Sequence, residues 1–252
     1  MYHIILIHHG VTRSFTERNT ELEKQCDSVQ NSVELVVNKL VYLFNFTLMN
    51  FKVEELNESQ NFRQILAIHY SDLIPFIFKY LKNITFVTFL FWSVCIAFLL
   101  IAVLLRSSVS TSLNTLVHSL LGFVVFPILI IPFHESLHII PYYLSGARSI
   151  RIGMDLKQYI FYVTAHRYVA SPVQFITIAL VPFAAISMLV IILIFSLPGL
   201  WKWSLSAFLF IHATMCAGDF ALLNFYYINR DKKIYTWDDA DEKMAYFYEK
   251  LD

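Results

Sequence analysis

Charge is what this 252-residue chain has least of. Asp, Glu, Lys and Arg make up 15% of it against 57% hydrophobic residues, and the mean hydropathy is +0.57. That balance excludes an ordinary soluble domain and points to a membrane protein. Nineteen basic and nineteen acidic side chains cancel, so no general basic surface exists to attract nucleic acid, and nucleic acid is not expected as a partner. Cysteine is scarce as well. Cys26, Cys95 and Cys216 are far apart, odd in number and form no C-x-x-C, which excludes a disulfide framework and a cysteine-rich zinc cluster and leaves Cys95 as packing or lipid-facing. The opening Met1-Tyr2-His3-Ile4-Ile5-Leu6-Ile7 has no basic n-region and a very short apolar run, so insertion is expected through internal spans rather than a cleaved signal peptide. There are no repeats and no low-complexity tracts.

What is present is a set of long apolar runs. Four reach the roughly 20 residues that a helix needs to cross a hydrocarbon core: about Ile84 to Leu105, Leu116 to Tyr143, Val173 to Leu197 with Pro182 inside it, and Trp201 to Ile228. Pro198-Gly199 predicts a tight turn between the last two. The expected fold is an all-α polytopic membrane protein of about four transmembrane helices, with a small cytoplasmic β-hairpin and an N-terminal helical region. The chain divides into residues 1–82, a cytoplasmic or interfacial helical region; 83–230, a membrane-embedded unit; and 231–252, a cytoplasmic tail. Within the first region Val33 to Phe51 reads as an interfacial amphipathic helix, because Glu34 and Lys39 penalise a fifth span. A further helix is expected from about Phe62 to Leu81. The loop from Leu144 to Ser171 is strand-like, with alternation at Ser149-Ile150-Arg151-Ile152 and β-formers at Tyr159 to Thr164.

Basic residues set the orientation. Lys79, Lys82, Arg148, Arg151, Lys157, Arg167, Arg230, Lys232 and Lys233 flank the span ends on one side, whereas Arg106 and Lys202 stand alone on the other. The positive-inside rule makes the crowded side cytoplasmic, giving a multi-pass protein of the cell membrane with both termini inside. The second and fourth spans then both run inward.

Only two acids, Glu135 and Asp219, lie within the apolar runs. An intramembrane carboxylate costs several kcal/mol unless it is compensated, so each marks a functional site. Glu135 belongs to His134-Glu135-Ser136-Leu137-His138, an H-E-x-x-H motif. Residues four apart share a helix face, so both imidazoles can address one zinc ion while Glu135 reaches a water activated beside it, as in a zinc hydrolase. A third ligand is needed. No Glu occurs between Glu135 and Glu242, and Pro141 and Leu144 occupy the positions that a longer H-E-x-x-H-x-x-G-x-x-H pattern would fill. Asp219 is therefore the candidate, as a direct ligand or as the hydrogen-bond partner of a ligating His, and the adjacent Gly218 suggests close helix approach.

His212, Cys216 and Asp219 share one helix face. On a straight helix His212 lies about 10 Å from Asp219, which favours a packed or hydrogen-bonded role for it and packing for Cys216. Tyr142 is a candidate oxyanion donor or an interfacial aromatic, and His166 reads as a surface residue.

These residues resemble the zincin peptidase family known as the domain of unknown function 3267. The likeness covers about Val117 to Arg230: H-E-x-x-H at the end of an apolar helix, a Gly-containing hairpin loop, a span with an internal proline at Ile178-Ala179-Leu180-Val181-Pro182-Phe183, and a late Gly218-Asp219. The organisation is also similar to site-2 proteases, where two His and an Asp from a later helix hold the zinc. The resemblance implies a membrane metallopeptidase with one zinc ion, Asp219 mapped to the Asp ligand, and a peptide or membrane-protein substrate in the bilayer. Asp219 stands in Ala-Gly-Asp-Phe rather than the Leu-Asp-Gly usual in site-2 proteases. The alternative function is a non-catalytic metal-binding accessory or regulatory membrane protein, which would close its site with four ligands and have no use for Glu135. A di-iron oxidase would need more His and carboxylates than the spans offer.

Overall fold

The computed structural model describes residues 51–58, 60–155 and 160–251. The helix expected over Val33 to Phe51 lies almost wholly outside these residues. Eight helices and five strands are present among them: α1 (Val53–Glu58), β1 (Phe62–His69), α2 (Leu73–Leu81), α3 (Phe86–Ser107), α4 (Leu113–Leu120), α5 (Phe126–Leu144), β2 (Ile150–Asp155), β3 (Ile160–Ala165), α6 (Pro172–Ser196), α7 (Leu200–Met215), α8 (Ala217–Ile228), β4 (Lys233–Asp239) and β5 (Met244–Lys250).

Three helical stretches, Phe86–Ser107, Leu113–Leu144 and Pro172–Ser196, are long and apolar enough to cross a membrane, and the bent pair α7 and α8 makes a fourth if taken as one span. Their outer faces are apolar too. Phe89, Leu104, Ile128, Leu129, Leu189 and Phe195 are all exposed, a surface that water would penalise and hydrocarbon would not. Inside, α3 packs on α7, α5 on α6, and α6 on α7. The helix starts are capped by side chains: Thr85 and Thr88 form a reciprocal capping box on α3, as Ser171 and Gln174 do on α6. Thr85 also donates to Asn224 Oδ1 at 2.6 Å, and Asn224 Nδ2 donates to the Tyr80 carbonyl at 2.7 Å. One fully buried amide thus ties α2, α3 and α8 together.

Two irregularities shape the bundle. A π-helical turn at Leu121–Val125 joins α4 to α5, and Gly122 within it lies so close to α7 that a Cβ there would stand 2.4 Å from the Ser204 carbonyl oxygen. The fourth expected span is broken: α7 and α8 meet at Cys216 with a bend of 44°. At the predicted Pro198-Gly199 turn, Gly199 takes φ 62°, a conformation that suits glycine. Gly218 is not a close-approach glycine, because a Cβ there would meet only Ile77 Cδ1 at 3.6 Å.

The predicted hairpin is present, with β2 and β3 antiparallel and Gly153 opposite Tyr162. A second sheet was not anticipated. Residues 231–252, expected to be a tail, hold the β4–β5 hairpin, and β5 lies between β4 and β1 in the order β1-β5-β4. The helix expected from Phe62 to Leu81 is therefore only half right: Phe62–His69 is a strand, Tyr70–Asp72 a 3₁₀ turn, and the helix begins at Leu73. Pro75 explains the boundary. A helix begun at Phe62 would carry this proline in its interior, whereas one begun at Leu73 has it in the first turn, where the missing N–H costs nothing. Both sheets lie where α3 and α6 begin and α5 and α8 end, so they roof one end of the bundle.

Replacing Gly122 by Val drives a side chain into the α7 backbone and is expected to destabilise the fold by about 1–3 kcal/mol. Thermal unfolding of the detergent-solubilised protein measures this, and an unchanged midpoint would refute the close approach.

Candidate functional site

His134, Glu135 and His138 project from the C-terminal half of α5. This helix carries internal prolines at 132 and 141, so part of its own backbone bonding is lost. Ser136 Oγ donates back to the Pro132 carbonyl at 2.6 Å. His134 and His138 sit one turn apart with ring centroids 5.2 Å from each other, as the i, i+4 spacing requires.

The orientation of His138 follows from a proline on another helix. Pro182 in α6 has no N–H, so the carbonyl four residues earlier, at Ile178, has no helical donor. His138 Nδ1–H donates to that carbonyl at 2.9 Å. A neutral imidazole protonated at Nδ1 presents its Nε2 lone pair in the opposite direction, and there Nε2 stands 3.7 Å from Asp219 Oδ1. His134 Nε2 lies 3.3 Å from Asp219 Oδ2. The other ring nitrogen of His134 is 3.3 Å from His212 Nε2. Asp219 belongs to the first turn of α8, directly after the break at Cys216. The break resolves the distance expected between His212 and Asp219, because one imidazole, that of His134, touches both.

Two overlapping donor sets result, and each shares His134: one with His138 and Asp219, the other with His212 and Cys216. Ligands about 2.0–2.2 Å from a tetrahedral zinc are separated from each other by roughly 3.2–3.6 Å, close to the 3.3 and 3.7 Å seen in the first set. That set also lines a cavity, so a position stays open beside it, whereas His212 and Cys216 lie outside the cavity wall with 0% and 1% exposure. The first set fits a zinc ion with an accessible coordination position; the second is a buried support. Cys216 Sγ donates to the His212 carbonyl at 3.2 Å.

The cavity has a volume of about 440 Å³ and runs from these residues to the roof. Glu135 lines it and faces the Val163 N–H of β3. Tyr142 is buried on the same wall, edge-on to Tyr168, and is therefore not an exposed interfacial aromatic. From the roof come Tyr70, Thr164 and Asp238, none of them anticipated. Asp238 Oδ2 accepts a 2.6 Å hydrogen bond from Thr164 Oγ1. Burial pushes its carboxyl up to about 6, and the Thr164 bond offsets this only in part. Burial, reinforced by the neighbouring Asp238, likewise raises the Tyr70 phenol. The signal missed in the sequence was the β-forming alternation of Lys233–Asp239 and Met244–Lys250 on either side of a polar turn. Nor is His166 a free surface residue: its Nδ1 accepts from the Ala240 N–H at 3.1 Å.

An H-E-x-x-H helix whose two imidazoles converge on an aspartate from another helix is a metallohydrolase-type arrangement. Residues 127–235 match the model of the family described as "Putative zincin peptidase", the domain of unknown function 3267. The matched segment covers a little under half of the chain and holds His134, Glu135, His138, His212 and Asp219, while Tyr70 and Asp238 fall outside it. No curated protein and no solved structure matches the chain significantly.

Two outcomes follow. Pro182→Ala gives the Ile178 carbonyl a helical donor and releases His138, so zinc affinity measured against a competing chelator should fall about tenfold; unchanged affinity would refute the orienting role. For Asp238 the folded-state pKa lies above the ordinary 3.8, so the folded protein binds the proton more tightly and wild type loses stability as pH rises between about 4 and 6. Asp238→Asn should remove that loss. Its thermal midpoint relative to wild type should climb through this window, and a flat difference would contradict the shift.

Proposed function

We propose that this protein is a zinc-dependent endopeptidase embedded in the cell membrane, cleaving peptide or membrane-protein substrates near the cytoplasmic side. The observation that carries the reading is the convergence of His134 Nε2 and His138 Nε2 on the two oxygens of Asp219, with Glu135 on the wall of the same cavity. The apolar outer faces of the long helices support the membrane setting, and the basic residues at the sheet-covered end support a cytoplasmic roof with both termini inside.

His134, His138 and an oxygen of Asp219 would hold the ion. Zinc there supplies Lewis acidity to a water molecule and to a carbonyl group. Glu135 takes the proton of the attacking water on its carboxylate and returns it to the nitrogen of the leaving amine. The bond from His138 Nδ1–H to the Ile178 carbonyl fixes the tautomer whose lone pair is on Nε2, and His134 is backed by His212, so neither ring needs to turn during the reaction. The apolar walls of the cavity, among them Phe76, Ile178 and Phe247, exclude bulk water and strengthen every charge interaction inside. The free side of β3 lies next to Glu135, a position from which an extended peptide can add as a further strand.

Glu135→Gln should retain zinc at wild-type stoichiometry and lower proteolysis by a factor of about 100 to 10,000, measured on a proteome-derived peptide mixture with metal content read in parallel. Cleavage that persists would overturn the mechanism. Asp219→Asn should reduce zinc occupancy as well as activity; full occupancy would instead place Asp219 as a partner of His134 and not as a ligand.

A further inference from the structure

Peptide hydrolysis at Glu135 leaves the roof end of the cavity without a task. Asp238 reaches it from β4, with its carboxylate receiving one hydrogen bond, from Thr164, and no cation pairs with it among the described residues. The nearest cations are committed elsewhere. Arg167 pairs with Glu54 and stacks over Trp237, giving Asp238 only a backbone bond from its N–H to the main-chain carbonyl. His166 faces Asp239 and Asp241.

Tyr70 lines the same wall at 7% exposure, and its hydroxyl faces Thr164, the residue that also bonds Asp238. Behind that wall the buried Tyr226 hydroxyl has no hydrogen-bond partner among the described residues and lies within electrostatic reach of Asp238. A buried carboxylate is normally paired, so one that lines a cavity with no cation opposite it is open to a donor brought by a ligand. The ionised Asp238 carboxylate can only accept, and among the described residues Thr164 is the one side chain that donates to it. A lysine ammonium brings three donors and no acceptor, and an arginine guanidinium brings five. The apolar side chains of Ile68, Phe161 and Val163 beside these groups suit the aliphatic stem of either residue.

We propose that Asp238, with Tyr70 and Thr164, forms a subsite for a basic side chain, lysine or arginine, of the bound peptide, so that substrates are selected by a positive residue at a fixed position from the scissile bond. The proposal rests on the peptidase reading for its biological meaning but not for its physical test. Asp238 and Tyr70 lie outside the segment that the family model matches, whereas Thr164 lies within it.

The test uses the full chain in detergent, zinc-loaded and carrying Glu135→Gln to prevent turnover. Fluorescent apolar decapeptides with one lysine scanned along the sequence are compared with the same peptides carrying norleucine. At one position, or two adjacent ones, lysine should bind at least tenfold tighter. Asp238→Asn should bring that ratio close to one, and Tyr70→Phe, which removes only the hydroxyl beside Thr164, should lower it several-fold and carries the test should the first variant not fold. Equal affinity for lysine and norleucine at every position, or a preference that survives both substitutions, overturns the subsite. The two readings fail separately: lysine discrimination without Glu135-dependent cleavage in the unmutated protein would refute the peptidase, whereas cleavage without discrimination would refute the subsite alone.

Discussion

The hydrogen bond from His138 Nδ1 to the Ile178 carbonyl solves two problems at once. A proline inside an apolar helix leaves a carbonyl without a donor, which is costly wherever water cannot reach it. A histidine beside a cavity needs one nitrogen fixed before the other can be aimed. Pairing these two defects across α5 and α6 removes both, and the imidazole is held by a backbone atom that side-chain motion cannot displace. The arrangement on His134 is softer, since its second nitrogen meets another imidazole, and His212 is itself held in place by burial, with its Nδ1 unpaired among the described residues.

Around this centre the bundle is built to tolerate polarity in only a few places. Asn224 gathers three helices through two hydrogen bonds, and the capping boxes of α3 and α6 satisfy the helix starts where the chain enters the apolar region. The break at Cys216 changes the direction of the chain between His212 and Asp219 and lets a single imidazole meet both. Had α7 and α8 been one straight helix, these side chains would have been separated by about two turns and His134 would have lacked one of its partners.

The helical spans and the H-E-x-x-H residues were legible because they rest on local rules: uninterrupted hydropathy, and i, i+4 spacing on one face. Asp219 was legible by elimination. The Cys216 bend was not, since no proline or glycine stands at residue 216 to announce it. The roof escaped for a different reason. β1 reads as part of an amphipathic helix until β5 is available to pair with it, and β5 is about 180 residues away in sequence, so the preference of Phe62–His69 is set by tertiary contact. Pro75 was the local clue that a helix could not run through. Tyr70 and Asp238 were hidden with the strands that bring them to the cavity.

The order β1-β5-β4 also has a temporal meaning. The central strand of the roof is translated after every other wall of the cavity, so β1 cannot find its neighbour and Asp238 cannot be anchored until residues 244–250 have left the ribosome. The helices that carry the histidines are complete well before that, while the chamber over them is still open to water. A nascent chain would thus hold His134 and His138 on their helix without yet having the enclosed, apolar compartment around them, and the last hairpin to fold would be the one that makes the chamber complete.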